Sequence, residues 1–224
     1  WEKARASKDA RLIEAYLLRY PIGSFSELAQ LELDRALARQ GEKKIEIIND
    51  AANPFTKGSA VANTDFKVGD SYTYRNVDIF SRVDRRQFTR TITAIVDDEV
   101  QFDDGQIYDL LGNTVRFADG RHVKGLQSVP LEYSVGRRWT SRFVTTFPNG
   151  GRSQTETESV IQTRERITVP AGTFDAFRVY NRTFAQGPKG QMELRTLIWR
   201  APSEIRLPVA REESDPDWSG NVEF

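Results

Sequence analysis

The chain of 224 residues has no cysteine, one histidine and one methionine. Without cysteine there are no disulfides, no thiol nucleophiles and no thiolate-bound zinc, and the redox compartment leaves no mark. A lone histidine, His122, gives too few nitrogen ligands for an ordinary zinc site and a single candidate base near neutrality. Net charge is also missing: 32 Lys and Arg balance 32 Asp and Glu. No overall field therefore draws nucleic acid or anionic lipid. No apolar run approaches the roughly 20 residues of a membrane span. No glycine-rich phosphate loop or dinucleotide fingerprint occurs.

What is present is a pattern of strands. In Val169-Pro-Ala-Gly-Thr-Phe-Asp-Ala-Phe-Arg-Val179, a strand with Ile161, Thr163, Glu165, Ile167 and Val169 on one side runs into a turn at Pro170 and Gly172. A second strand follows through Phe177, Val179 and Tyr180. Sliding the sequence by 67 positions places Gly69 on Gly136, Tyr72 on Trp139, Gly105 on Gly172 and Leu110 on Phe177. The spacing predicts two copies of one β unit, 66–130 and 133–198. The expected strands centre on Tyr72 to Phe80, Gln87 to Val96, Val100 to Phe102, Gln106 to Leu110 and Val115 to Phe117. Further on they centre on Arg138 to Phe147, Thr155 to Gln162, Arg164 to Val169, Phe177 to Phe184, Met192 to Arg200, Leu207 to Glu212 and Asn221 to Phe224. Short connections make the sheet antiparallel.

Residues 1–50 read as a helical hairpin. Ser7 is the expected cap of a helix with a stripe of Leu12, Ile13, Tyr16, Leu17 and Tyr20. Pro21 and Gly23 stop it. Ser24 with Glu27 suits a capping box for a second helix carrying Leu28, Leu31, Leu33 and Leu37, which Gly41 ends. Residues 51–65 read as a linker and 66–224 as the β domain. The fold class is therefore α+β: a hairpin followed by a mainly antiparallel curved sheet, half-barrel or sandwich of two similar halves.

Two resemblances accompany these patterns. Trp1, Tyr16, Leu17, Tyr20, Pro21, Gly23, Phe25, Leu28 and Ala29 resemble the tetratricopeptide-like segment that follows the protease domain in bacterial caspase-like peptidases. That resemblance covers about a sixth of the chain. It implies an accessory role beside an upstream protease domain and carries over no catalytic residue. The 169–179 stretch, with Trp199 and Pro208-Val-Ala-Arg211, resembles an uncharacterised family of bacterial envelope β domains. That family is in turn similar to half-barrel lipoprotein carriers. The chain begins at Trp1 without methionine and reads as part of a longer protein, so the lack of a signal peptide says nothing of location.

Each candidate site meets a plainer alternative. His122 sits between Gly120 and Gly125, in what reads as a surface loop. Asp97, Asp98, Glu99, Asp103 and Asp104 cluster as a calcium site or acid pair would, but without the spacing of a calcium loop they read as turns. Asp215, Asp217 and Ser219 begin such a loop, yet the required distal glutamate falls beyond Phe224. Arg82, Arg85, Arg86 and Arg90 around Phe88, with Arg137 and Arg138 before Trp139, suit single-stranded nucleic acid; their acidic neighbours favour ordinary strand faces. Tyr72, Trp139, Phe177 and Trp199 are the candidate ligand- or partner-binding aromatics on a concave face.

The expectation is a non-catalytic interaction module without metal or cofactor, in the bacterial envelope or periplasm; the alternative location is the cytoplasm. Its partner would be a protein or an upstream protease domain, with no nucleic acid and no membrane span. The runner-up is a carrier or sensor holding a lipid or other apolar ligand in the curved sheet.

Overall fold

A computed structural model of the chain describes residues 1–39, 58–78, 84–187, 190–214 and 220–223, the last as backbone. The chain divides into two compact units, Trp1–Ser59 and Ala60–Phe224. Gly41, residues 42–57, Phe80, Arg82 and the 215–219 turn lie outside the described residues.

Among its described residues the first unit holds three helices, α1 (Glu2–Ser7), α2 (Ala10–Arg19) and α3 (Ser26–Arg39). The extra break comes at Lys8, which takes a left-handed φ of 52°. Asp9, not Ser7, then caps α2, its carboxylate accepting from the Arg11 amide at 2.9 Å. The Ser7 hydroxyl instead donates back to the Ala4 carbonyl at 2.7 Å, closing α1. Ile13 meets Ala4, Ala10, Ala29 and Ala36, with Tyr16, Leu17, Leu33 and Leu37 at the edge. Small residues at these contacts let helices approach closely. The Trp1 ring lies 5.4 Å from Tyr16 and 6.0 Å from Phe25. Leu12 departs from the expected stripe, being half exposed at 51%. It is one residue from Ile13, so about 100° of helix rotation separates them and one narrow stripe cannot take both.

The second unit is built from strands β1 (Ala60–Val61), β2 (Ser71–Asp78), β3 (Asp84–Val96), β4 (Glu99–Phe102), β5 (Ile107–Asp109), β6 (Thr114–Arg116) and β7 (His122–Lys124). The chain continues through β8 (Glu132–Tyr133), β9 (Arg138–Thr146), β10 (Arg152–Val169), β11 (Gly172–Gly187), β12 (Gly190–Arg200), β13 (Ala210–Ser214) and β14 (Gly220–Glu223). All pairings are antiparallel. β1 pairs with β8. The other strands follow the order β10-β11-β12-β13-β14-β2-β3-β4-β5-β6-β7-β9, and β9 pairs again with β10. The expected half-barrel or sandwich is thus a closed barrel. Closure comes from β14 bridging β13 to β2 at one seam and from β7, in the stretch that reads from sequence as a loop around His122, reaching β9 at the other.

Two strands expected at 155–162 and 164–169 are one strand, β10. A bulge between Ile161 and Thr163 pairs Ile161 with Val179 but Thr163 with Arg178. Val179 and Arg178 are consecutive and point to opposite faces, so Ile161 and Thr163 do too. The expected shared side for Ile161 through Val169 is therefore wrong at its first member. Ile161 is fully buried.

The two meanders open alike. The Gly69 amide donates to the Ile92 carbonyl at 2.8 Å and Ile92 donates to Asp70; the Gly136 amide donates to the Ile161 carbonyl at 2.8 Å and Ile161 donates to Arg137. Beyond that point the halves diverge. β10 and β11 run 18 and 16 residues, whereas the first half breaks into the short strands β4, β5 and β6. The topology does not establish a duplication.

On the buried face of β9, β10 and β11, register places Trp139 and Ser141 beside Ser159 and Thr157, and these beside Asn181 and Thr183. The segment between β7 and β8 lies across this face. The Gln127 amide donates to the Ser141 hydroxyl at 2.8 Å, and the Trp139 indole donates to the Gln127 carbonyl at 2.9 Å. Val129, Pro130 and Tyr133 are fully buried with it.

A polar knot anchors that segment. The buried Asp109 carboxylate accepts from the amides of Leu111 and Asn113 and from the Asn113 side chain, at 2.9 to 3.0 Å. The Asn113 side-chain oxygen Oδ1 in turn accepts from the amides of Ser128 and Val129 at 2.7 and 2.8 Å. Burial raises the Asp109 pKa to about 6, outweighing these hydrogen bonds, which pull it down.

Two outcomes follow. The folded chain holds the Asp109 proton more tightly than the unfolded chain does. This contribution is full below pH 3.8 and is lost as pH rises towards 6. Unfolding free energy measured by denaturant should fall by about 3 kcal/mol across that window, and Asp109→Asn should flatten this component of the slope. In the first unit, Ile13→Ala should cost about 2–5 kcal/mol. Leu12→Ala should change stability by less than about 0.5 kcal/mol, as measured by thermal unfolding.

Candidate functional site

The turn that closes β10 onto β11 forms one wall of a cleft. Val169 pairs with Gly172, whose φ of 142° suits glycine, and the hydroxyls of Thr168 and Thr173 meet at 2.9 Å across the strands. Past the bulge, Ile167, Val169 and Phe174 share a side with Ala176. That side packs on Trp199, Ala201, Ile205 and Val209.

The second wall comes from the connection between β12 and β13. The amides of Glu204 and Ile205 both donate to the Ala201 carbonyl, at 2.9 and 2.8 Å, making one tight turn. The Val209 amide then donates to the Trp199 carbonyl at 2.8 Å. The third wall is the start of β2. The Tyr74 hydroxyl reaches across and donates to the Pro208 carbonyl at 3.1 Å. Together these walls enclose a half-open cleft of about 360 Å³, lined by Asp70 to Tyr74, by Val169, Ala171 and Phe174, and by Glu204, Ile205, Arg206, Pro208 and Val209. Its size is at the lower end of the roughly 300–1,000 Å³ of small-ligand sites.

Charge enters at one end. The Arg206 guanidinium donates to the Asp70 carboxylate at 3.1 Å. Burial pushes the Tyr72 phenol above its ordinary pKa, while the neighbouring Arg206 pulls the other way. The Tyr72 hydroxyl lies beside that guanidinium and yet has no aligned hydrogen-bond partner. Glu204 is exposed and forms no ion pair among the described residues.

The four aromatics singled out from the sequence do not converge. Tyr72 lines the cleft. Trp199 packs behind it, and its indole donates to the Glu165 carboxylate at 2.8 Å. Phe177 pairs with Arg200 while the adjacent Arg178 pairs with Trp199, so Phe177 and Trp199 face opposite ways. Phe177 is buried, held between the Tyr133 ring at 5.6 Å and the Arg164 guanidinium at 5.1 Å. Trp139 lies on the buried face with its indole fixed by Gln127. Sequence reasoning did not single out Phe174, Glu204, Ile205 or Arg206. The only signal for Phe174 was its place in the turn motif; the other three follow the strands without a periodic pattern.

The other candidates become structural. His122 lies in β7 rather than in a loop, exposed and paired in register with Arg116 and Thr146. Asp97 and Asp98 take left-handed φ of 49° and 64° in the β3–β4 turn. Asp103 accepts from the Thr91 amide and Asp104 from the Gln106 amide, each at 3.0 Å. Arg86 and Arg90 flank the Phe88 ring at 5.1 Å each, and Arg90 also pairs with Asp104 at 3.4 Å. Arg137 donates to the Glu132 carbonyl. Among the described residues no three metal-ligating side chains gather, and no helix is long and apolar enough to cross a membrane.

No family model matches the chain, those of the tetratricopeptide and caspase-like families included, and no characterised protein matches it either. Similarity appears among solved structures. A candidate lipoprotein from Parabacteroides distasonis is 14% identical with a TM-score of 0.45, the match covering 70% of this chain and 94% of the other. A candidate exported protein with YmcC-like fold from Bacteroides fragilis is 12% identical with a TM-score of 0.46, covering 74% and 97%. The hypothetical lipoprotein YmcC from Escherichia coli is 10% identical with a TM-score of 0.43, covering 68% and 80%.

The placement of the aromatics sets an expected contrast. Phe177→Ala should cost about 3–5 kcal/mol as a core deletion. Tyr72→Phe removes a hydroxyl that has no aligned partner, and should shift stability by less than about 1 kcal/mol, towards stabilisation. Denaturant unfolding of both variants checks this.

Proposed function

We propose that this chain is a non-catalytic interaction module that binds a partner polypeptide in the cleft between the β10–β11 turn, the start of β2 and the β12–β13 connection. We place it in the bacterial envelope, the location that the resemblance of the 169–179 turn implies. The observation that carries the reading is the cleft itself. Apolar side chains from three separate segments face an opening about the size of a few side chains, with fixed polar groups at one end. Partner side chains anchored in such pockets supply most of the binding energy of small interfaces.

The carrier reading has less support. A lipid carrier needs a continuous apolar chamber. The buried face of β9–β11 is instead rich in hydroxyls and occupied by the chain's own segment around Val129 and Pro130. For catalysis, the one imidazole, His122, is exposed on a short strand away from the cleft lining. The positioning of an upstream protease domain, which the hairpin's resemblance implied, is one form that the partner could take.

Ala171 is exposed at the cleft mouth and has no left-handed φ, so a larger side chain fits there without backbone strain. Ala171→Trp should leave the melting temperature unchanged and weaken peptide binding at least tenfold, about 1.4 kcal/mol. Titration calorimetry against a random-peptide-selected binder tests this. A selected binder that is indifferent to Ala171→Trp and to Phe174→Ala would place binding elsewhere.

A further inference from the structure

We propose that the cleft receives a basic side chain, arginine or lysine, carried on an apolar segment of the partner polypeptide. This inference rests on the reading of the cleft as the partner site and deepens it.

The lining chemistry is the ground. Three aromatic rings, Tyr72, Tyr74 and Phe174, border the cleft together with the carboxylates of Asp70 and Glu204 and the guanidinium of Arg206. Two carboxylates against one guanidinium leave a net negative charge of one. Arg206 already pairs with Asp70 at 3.1 Å, so the carboxylate left over is that of Glu204 at the exposed rim. Aromatic faces carry negative electrostatic potential and attract cations within about 6 Å of the ring centroid. Rings and an unspent carboxylate together favour a cation over an anion or a neutral polar group. The same chemistry recurs within this chain, where Arg86 and Arg90 lie over Phe88 and Arg182 lies 4.5 Å over Phe184.

The remaining wall selects what surrounds the cation. Val169, Ile205, Pro208 and Val209 offer apolar surface beside the rings. A free ammonium ion would leave this surface unused. A basic residue next to a leucine or similar side chain covers both parts at once. The aliphatic stem of arginine or lysine itself lies well along apolar surface.

The experiment titrates the chain by calorimetry with acetyl-Ala-Leu-Arg-Leu-Ala-amide and with the same peptide carrying neutral citrulline in place of arginine. Both titrations are repeated on Glu204→Gln and Ala171→Trp, and choline chloride serves as a competitor. The expected result is tighter binding of the arginine peptide by about five- to tenfold, a difference mostly erased in Glu204→Gln and in 0.5 M salt. Both peptides should weaken in Ala171→Trp. Equal affinities for the two peptides, both still blocked by Ala171→Trp, would overturn this inference and leave the cleft reading intact. If neither peptide binds, both fail. Choline binding without peptide binding would overturn the choice of a polypeptide.

Discussion

The bulge at Ile161 and Thr163 is the constraint on which the rest of the β unit depends. One strand, β10, has to serve two different surroundings. Before the bulge, Ser153, Thr155, Thr157, Ser159 and Ile161 alternate into a buried face. After it, Thr163, Glu165, Ile167 and Val169 point the other way, joining Phe174 and Ala176. An unbroken strand of that length would put both sets on one side. The bulge is held at Ile161. Ile161 is fully buried and exchanges two backbone hydrogen bonds with the turn at Gly136 and Arg137, at 2.8 and 3.0 Å. Losing the bulge while keeping the pairing before it would shift Val169 by one position against β11 and turn it away from Phe174.

The buried face before the bulge is an unusual interior. Its residues on β9, β10 and β11 are largely hydroxyls and one amide: Ser141, Thr145, Ser153, Thr155, Thr157, Ser159 and Asn181. These groups must be paired if burial is not to be costly. Some are paired: the Thr157 and Thr183 hydroxyls meet at 2.9 Å, Ser153 donates to the Gln186 carbonyl, and Ser141 accepts from Gln127. Much of the apolar core is gathered elsewhere, around Tyr133 and Phe177 and around Ala176, Ala201 and Val209. Such a barrel can close firmly without offering the wide apolar lumen that a lipid would require.

The sequence made the antiparallel β character, most strands and the helical hairpin legible, because each rests on local periodicity and local turn chemistry. Gly172 signalled its turn, and the Ile13 stripe signalled the α2 packing. The barrel's closure was not legible. The strand at Asn221 to Phe224 was, but its pairing partners are far apart in the chain, and β7 lies in a stretch around His122 that reads as a loop between two glycines. The bulge was hidden for a related reason: alternation of residue types reads straight through it, and only the pairing partner reveals the change of face. The same error displaced the aromatic site. Tyr72, Trp139, Phe177 and Trp199 look alike as large side chains in strands. Register sends Trp139 and Phe177 to one face and Trp199 to the other. Glu204 and Arg206 were invisible because irregular connections have no pattern to read.

Within β11 the cleft wall and the opposite face divide between neighbouring residues. Phe174 and Ala176 look to the cleft side, while Asp175 and Phe177 look away. Arg164 clamps this second pair, bonding the Asp175 carboxylate at 2.8 Å and lying over the Phe177 ring at 5.1 Å. That guanidinium beside Asp175 holds its carboxyl below the usual range. The clamp fixes the strand from the face turned away from the cleft. The cleft lining comes from a turn, a strand start and an irregular connection, none of which contributes to the Arg164 clamp or to the Asp109 knot. Substitutions at Ala171, Glu204 or Ile205 can therefore change what the cleft accepts without touching the hydrogen-bonded ring that supports it. Part of the cleft lining, Ala171 and Glu204 to Pro208, is thus carried on connections between strands, where sequence can vary with little cost to the backbone ladder.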